Sequence, residues 1–415
     1  MKYINIVIIL MLSLTLSAEI LVPMDSVQRN HLKAYGIAFR ALQEGLDVQW
    51  LLNYRGGSFL IPESSEIKAL CNIRGVSFEV IGGATIAGIY NEIDNSNMEI
   101  MVLEKEPRIA IYTPPNSLPW DDAVTLALTY AEIDYDTLWD EEVLAGELSN
   151  YDWLHLHHED FTGQYGKFYG SFRNAAWYQE DVMINEEMAG RLGFDKVWQL
   201  KHTVAHQVRE YVLEGGFLFA MCAATETMDI ALAAQNVDIV QAEIDGDGID
   251  PNYQKKLDFS RTFTFENFSL TTNPYIYEHS SIDASDYAQL RGPEEDHFVL
   301  FDFSAKYDPV PTMLTQNHVN VINGFLGQTT SFHKEYIKSS VIILGETPGA
   351  DEVKYLHGNL GKGTFTFYGG HDPEDYAHRV GDPETNLDLH KNSPGYRLIL
   401  NNILFPAAEK KKLKT

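Results

Sequence analysis

Cys222 lies in the run Gly215-Gly216-Phe217-Leu218-Phe219-Ala220-Met221-Cys222-Ala223-Ala224-Thr225-Glu226. This reads as a short buried strand entering a helix through small residues, with a thiol at the corner. Such a corner presents its side chain over a helix N-terminus, where the helix dipole favours the thiolate. The same run also describes a small cysteine packed at a strand end, among the most buried of residue types. Further on, Gly361-Lys362-Gly363-Thr364-Phe365-Thr366-Phe367-Tyr368-Gly369-Gly370-His371-Asp372-Pro373-Glu374 places a glycine pair after an apolar strand. The pair lets the backbone turn sharply and brings His371 to a strand end. There the imidazole serves either as a base toward Cys222, oriented by Asp372 or Glu374, or as a cap on the turn.

A second polar cluster is Trp153-Leu154-His155-Leu156-His157-His158-Glu159-Asp160. Strand alternation puts His155 and His157 on one face, while His158, Glu159 and Asp160 leave the strand end. This set suits a small polar substrate, or a divalent metal. No His-Glu-x-x-His helix accompanies it, so the hydrogen-bonding reading is preferred. Weaker signals are Asp245, Asp247 and Asp250, which alternate around Gly246 and Gly248 like part of a calcium loop. Gln254 stands where such a loop needs a bidentate glutamate, so a polar turn is the preferred reading and calcium a minor one. Arg55, in the glycine-rich stretch Asn53-Tyr54-Arg55-Gly56-Gly57-Ser58, is a candidate for an anionic ligand reached across a lobe interface.

In open α/β sheets ligands gather beyond the carboxyl ends of the strands, so the elements decide whether these residues meet. The hydrophobic periodicity predicts strands at 20–24, 47–52, 58–61 and 77–81, with helices at 31–46 and 64–72. This is a βαβ rhythm. The charged stretch 98–108, with Pro107, is a boundary. The rhythm resumes with a strand at 108–112, a loop holding Pro114, Pro115 and Pro119, and a helix at 121–133. A strand at 152–156, a helix at 197–213, a strand at 217–221 and a helix at 225–234 follow. From about 243 to 340 short aromatic alternations, such as 262–268 and 298–303, predict a β-rich insertion. Strands at 341–344 and 364–368 and a helix at 395–404 close the pattern. The expected architecture is α/β with two Rossmann/flavodoxin-like lobes, at 19–106 and 107–405, before a basic tail at 406–415 that holds Lys410, Lys411, Lys412 and Lys414.

The formal charge of −28 excludes nucleic acid as a partner, since phosphate binding needs a positive field. Lys2, an uncharged apolar stretch at 4–16, and small residues at Thr15, Ser17 and Ala18 before Glu19 predict a signal peptide over 1–18. A secreted or periplasmic protein is expected, with no membrane association after cleavage. The two cysteines, Cys71 and Cys222, exclude a disulfide framework but leave a single bridge open. No cofactor is predicted.

The strand–cysteine–helix corner together with the later Gly361-Lys362-Gly363, Phe367-Tyr368 and Gly370-His371-Asp372 resembles the class I glutamine amidotransferase superfamily. Within it the glycine–lysine–glycine segment is more similar to the trehalose-utilisation-type (ThuA-like) branch. The similarity covers roughly 107–240 and 341–405, and it implies an amidotransferase-like second lobe. The chain departs from the amidotransferase pattern at Ala220 and Ala224, where that family has glycines, and at Pro373, where it has glutamate. The whole chain is also similar to exported bacterial proteins labelled asparagine synthetase B, through His31-Leu32-Lys33-Ala34-Tyr35-Gly36, Leu51-Leu52-Asn53-Tyr54-Arg55-Gly56-Gly57-Ser58-Phe59 and Asn392-Ser393-Pro394-Gly395-Tyr396-Arg397. That synthetase needs an N-terminal catalytic cysteine and a Ser-Gly-Gly-x-Asp-Ser loop for ATP, and this sequence has neither.

Two functions follow as expectations. In one, Cys222 attacks an amide or ester carbonyl with His371 as base, Asp372 or Glu374 orienting it, and the Ala223 N–H on the oxyanion. His155, His157, His158, Glu159 and Asp160 then face a small polar substrate. In the other, the same crevice binds a polar ligand such as a carbohydrate without covalent chemistry, as in a ThuA-like protein that does not depend on a cysteine.

Overall fold

The computed structural model describes residues 18–116, 118–308 and 311–409. The expected signal peptide, apart from Ala18, and the lysines of the basic tail lie outside the described residues.

The first five strands, β1 (Glu19–Val22), β2 (Val48–Leu52), β3 (Ser58–Pro62), β4 (Glu79–Ile81) and β5 (Glu99–Leu103), form one sheet in the order β4-β1-β3-β2-β5. Every pairing in it is antiparallel. The first lobe is therefore a split βαβ arrangement, not the parallel Rossmann/flavodoxin-like sheet expected. The cause is local. Between β2 and β3, Asn53, Arg55, Gly56 and Gly57 all take positive φ, so the chain reverses at once. A parallel pair would need a crossover of a dozen or so residues there.

The second sheet holds β6 (Ile109–Tyr112), β7 (Asp136–Leu138), β8 (Trp153–Leu156), β9 (Phe217–Met221), β10 (His297–Leu300), β11 (Val321–Asn323), β12 (Phe332–His333), β13 (Ile342–Glu346), β14 (Glu352–Leu360) and β15 (Gly363–Tyr368). Its order is β11-β10-β13-β14-β15-β9-β8-β6-β7, with β12 paired to β14. The stretch β15-β9-β8-β6-β7 is parallel, and the remaining pairs are antiparallel. Strand β6 has β7 on one side and β8 on the other, so the winding direction switches there. The crevice beyond the carboxyl ends of β6 and β8 is where such sheets take ligands.

Register levels the functional edge. Met221 pairs with Tyr368 and Ala220 with Leu156, so His157, Cys222 and the 369–371 loop emerge side by side. The insertion is less regular than its aromatic alternation suggested: among the described residues its strands are β10, β11 and β12, with short helices between loops. The 262–268 stretch is mostly irregular, because its aromatics dock into the core from a loop. Phe263 and Phe265 pack on Phe365 and Phe367, and the Asp229 carboxylate accepts the N–H groups of Phe263, Thr264 and Phe265 at 2.6, 2.8 and 2.8 Å.

One apolar core runs through both lobes, from Ile20, Trp50 and Phe59 to Ile109, Phe217 and Leu404. At the junction, the fully buried Arg397 donates to the Met24 carbonyl (3.1 Å), the Gly56 carbonyl (2.7 Å) and the Tyr35 hydroxyl (3.1 Å). His31 Nδ1 lies 3.0 Å from Asn392 Oδ1, and a Cβ on Gly36 would stand 1.8 Å from the Ala131 carbonyl oxygen. The three segments that carry the whole-chain resemblance thus meet one another between the lobes.

Candidate active site

Cys222 begins the helix Cys222–Ala233 at the end of β9, and its φ is +48°. A non-glycine residue in the left-handed region is strained, and here the strain aims the thiol out of the strand–helix corner. The sulfur accepts the Gln328 N–H at 3.2 Å. Burial pushes the thiol pKa up, but contact with His371 and the Gln328 and Thr329 amides outweighs it and holds the thiol below its ordinary value. Cys71 and Cys222 are both free, so the single bridge left open by the sequence is not formed.

His371 stands against this sulfur. Burial would lower its pKa, yet contact with Asp121 and Cys222 raises it to about 10. Both shifts run in the direction that favours a thiolate–imidazolium pair. Asp121 Oδ1 lies 3.5 Å from His371 Nε2 and 3.0 Å from His378 Nε2, and His378 Nδ1 is 2.9 Å from Asp375. The carboxylate behind the imidazole therefore comes from the loop after β6. Asp372 and Glu374, expected in that role, are engaged elsewhere. Asp372 accepts the Glu374 N–H and the Tyr396 hydroxyl, each at 2.8 Å, and Glu374 pairs with His390 at 2.9 Å. A residue one or three positions past the turn's histidine need not face the same way as that histidine.

The strand β8 histidines gather round a second carboxylate, Asp122. His155 Nε2 and His157 Nδ1 each lie 3.2 Å from it, and Asp122 also caps the helix Ala123–Ala131 by accepting the Val124 and Thr125 N–H groups. Burial pushes Asp122 up, but the two rings hold it well below the usual carboxylate range. His155 is turned inward, its Nδ1 at 3.0 Å from the Phe219 carbonyl. His157 packs on His371 with ring centroids 4.6 Å apart, and His158 lies 6.0 Å from the same ring. Burial lowers His157 to about 4 and holds His158 well below the ordinary imidazole value, which favours the neutral ring at both. Burial, with Asp122 nearby, raises Glu159 to about 7, and its carboxyl accepts the backbone N–H of His157 at 2.7 Å. Asp160 is spent on its own loop, accepting from Thr162 and Gly166.

Two expected residues lie away from this edge. Arg55 pairs with Asp25 at 2.7 Å and Glu79 at 2.8 Å, inside the first lobe, so it does not reach across to the crevice. Among the calcium candidates, Asp245 and Asp247 take the Lys196 ammonium, at 3.5 and 2.8 Å, and Asp250 pairs with Lys256 at 2.9 Å. A lysine fills the place a cation would take.

Cover over the sulfur comes from the insertion. Gln328 donates from its side chain to the Gly166 carbonyl at 2.5 Å, and Cys222 is only 3% exposed and His371 7%. A cavity of about 60 Å³ is lined in part by Trp120, His158, Glu159 and Phe168, and neither Cys222 nor His371 lines it. A far larger cavity, about 840 Å³, lies at the opposite, amino ends of the strands near Asp152, Gly216 and Lys362 and holds none of these residues. Asp121, Asp122 and Gln328 were not singled out from sequence. The two aspartates follow the first parallel strand, where the strand-end rule points, but they read as the start of a helix. Gln328 lies in the irregular insertion and carries no sequence signal.

No protein-family model matches the chain, and no curated protein matches it. Among solved structures it is similar to a cytoplasmic protein of Salmonella typhimurium LT2, at 12% identity and TM-score 0.36, covering 72% of this chain and 99% of that one. A second cytoplasmic protein of Salmonella typhimurium gives 10% identity and TM-score 0.34, covering 73% and 100%. A β-galactosidase of Bacillus circulans sp. alkalophilus gives 10% and 0.24, covering 64% and 29%. Likenesses this distant carry no functional inference. No helix among the described residues is long and apolar enough to cross a membrane.

Proposed function

We propose that the chain is a cysteine-dependent hydrolase of a small amide or ester, built on a class I amidotransferase-like second lobe and working outside the cytoplasm. The observation that carries this is the left-handed Cys222 at the strand–helix corner, with its thiol against a His371 that Asp121 backs. The Cys222 thiolate attacks the carbonyl carbon, forming a C–S bond, while the Ala223 N–H steadies the oxyanion. The His371 imidazolium then protonates the leaving amine or alcohol as its bond to carbon breaks. Water, deprotonated by the now neutral His371, attacks the thioester and the C–S bond breaks, restoring thiolate and imidazolium. The cover over Cys222 restricts this to a small substrate, or to one admitted when Gln328 moves.

The test is stoichiometric alkylation. Purified protein treated with iodoacetamide should take one equivalent on Cys222 at a pH below the ordinary thiol range, with Cys71 spared because burial raises its pKa to about 12. A Cys222 that stays unmodified in the native protein would end the nucleophile assignment.

A second reading, a non-catalytic module for a carbohydrate-like ligand, is favoured by one observation. Trp120, Phe168 and Trp177 pack ring to ring beside His158, and such rings suit sugar faces. Under that reading Cys222→Ala binds the sugar as the wild type does.

A further inference from the structure

His157, Cys222 and His371 have ligand atoms that all lie within 4.8 Å of one another, and all three residues are buried. Each imidazole is backed by its own carboxylate: Asp122 stands 3.2 Å from His157 Nδ1, and Asp121 stands 3.5 Å from His371 Nε2. A histidine held by a carboxylate on its far nitrogen is the arrangement that orients and strengthens imidazole ligands at zinc. Both ring nitrogens of His157 are buried without a hydrogen bond; Nδ1 stands within ion-pair distance of Asp122, which leaves Nε2 to ligate. A buried, unpartnered ring nitrogen is costly unless something binds it.

We infer that His157, Cys222 and His371 form a three-donor site for a zinc ion, with the fourth position toward the crevice. One thiolate and two imidazoles are a borderline-soft donor set that suits zinc over magnesium or calcium. Bonds of about 2.0–2.3 Å in a tetrahedron bring donors to about 3.5 Å from one another, so closure draws the side chains in by little more than about 1 Å. Binding releases the one proton shared by Cys222 and His371. It also occupies the sulfur lone pair that would attack a carbonyl. The ion therefore switches the thiol off reversibly. This inference uses the same sulfur as the hydrolase reading but does not depend on turnover.

The experiment titrates the full chain with cobalt(II) and zinc(II) after removal of metal with EDTA. Cobalt should bind at one equivalent with a thiolate-to-cobalt charge-transfer band in the near ultraviolet, and zinc should abolish the band by displacement. The band should be absent in Cys222→Ser, and cobalt affinity should fall at least tenfold in His157→Gln. Zinc should slow iodoacetamide alkylation of Cys222 about tenfold or more, and EDTA should restore it. No charge-transfer band, a band that survives Cys222→Ser, or zinc that leaves alkylation unchanged would overturn the site. Metal binding that both variants leave intact would overturn it too. The two proposals fail separately. An inert thiol in the metal-free protein removes the nucleophile alone, and fast alkylation without zinc protection removes the metal site alone.

Discussion

Under the proposed function, Asp121 is the residue on which the reactivity of Cys222 turns. Its carboxylate stabilises the His371 imidazolium, and the imidazolium stabilises the thiolate. Removing the charge lowers the His371 pKa, weakens the ion pair and raises the thiol pKa. The sign is fixed by this chain: in Asp121→Asn the alkylation-versus-pH curve for Cys222 should move up by about one unit or more. Asp372→Asn, by contrast, should leave that curve in place, because Asp372 faces Tyr396 and the Glu374 amide. If Asp372→Asn moves the curve and Asp121→Asn does not, the expectation drawn from sequence was right and the assignment here is wrong. The sequence offered Asp372 because it adjoins His371. Neighbours in the chain diverge at a turn, whereas a residue some 250 positions away closes the contact.

At the scale of elements, the glycine–lysine–glycine segment that supports the family resemblance is a packing device. It joins β14 to β15 at the amino end of the parallel strands, a strand's length from His371. Gly361 has a φ of +61°, and a Cβ on Gly363 would stand 2.2 Å from the Val212 carbonyl oxygen and 2.3 Å from that of Gly216. The Val212 oxygen belongs to a helix and the Gly216 oxygen accepts the Thr364 N–H at 3.2 Å, so neither gives way cheaply and Gly363→Ala should cost about 3 kcal/mol of stability. The shift shows as a lower urea midpoint, with the alkylation curve of the folded protein unchanged. A Cys222 profile that moves with Gly363→Ala would mean this end of β15 communicates with the site.

For the whole molecule, the lobes are fastened by buried polar contacts as well as by the shared core. Arg397 is fully buried and bonds to Met24, Gly56 and Tyr35, and His318 Nδ1 lies 3.2 Å from it. Arg397→Met leaves the Gly56 carbonyl unpaired, at about 1–3 kcal/mol, and takes from the Met24 carbonyl one of its two partners, the other being His31 Nε2 at 3.0 Å, so the calorimetric midpoint should drop by a few degrees. Arg397→Lys should not restore it, because a point-like ammonium lacks the planar fork that reaches several acceptors at once. Full rescue by lysine would show that the charge, not the fork, fastens the lobes.

Hydrophobic periodicity and turn residues, properties of local sequence, determined most element positions: β9 at Phe217–Met221 and the helix Val197–Glu214 lie where the pattern placed them. The same local logic put Cys222 and His371 at strand ends. Pairing partners are set by nonlocal contacts, and so the first sheet came out antiparallel despite its βαβ rhythm. The aromatic alternation at 262–268 misled for a related reason, since period-two spacing serves a loop that drops rings into a core as well as it serves a strand. Only the tertiary structure could bring Asp121 to His371, Asp122 to His155 and His157, and Gln328 to the sulfur, because the meeting of the two loops that carry them depends on strand order. Whether Cys222 and His371 touch was decided by register, Met221 level with Tyr368, which no spacing along the chain encodes.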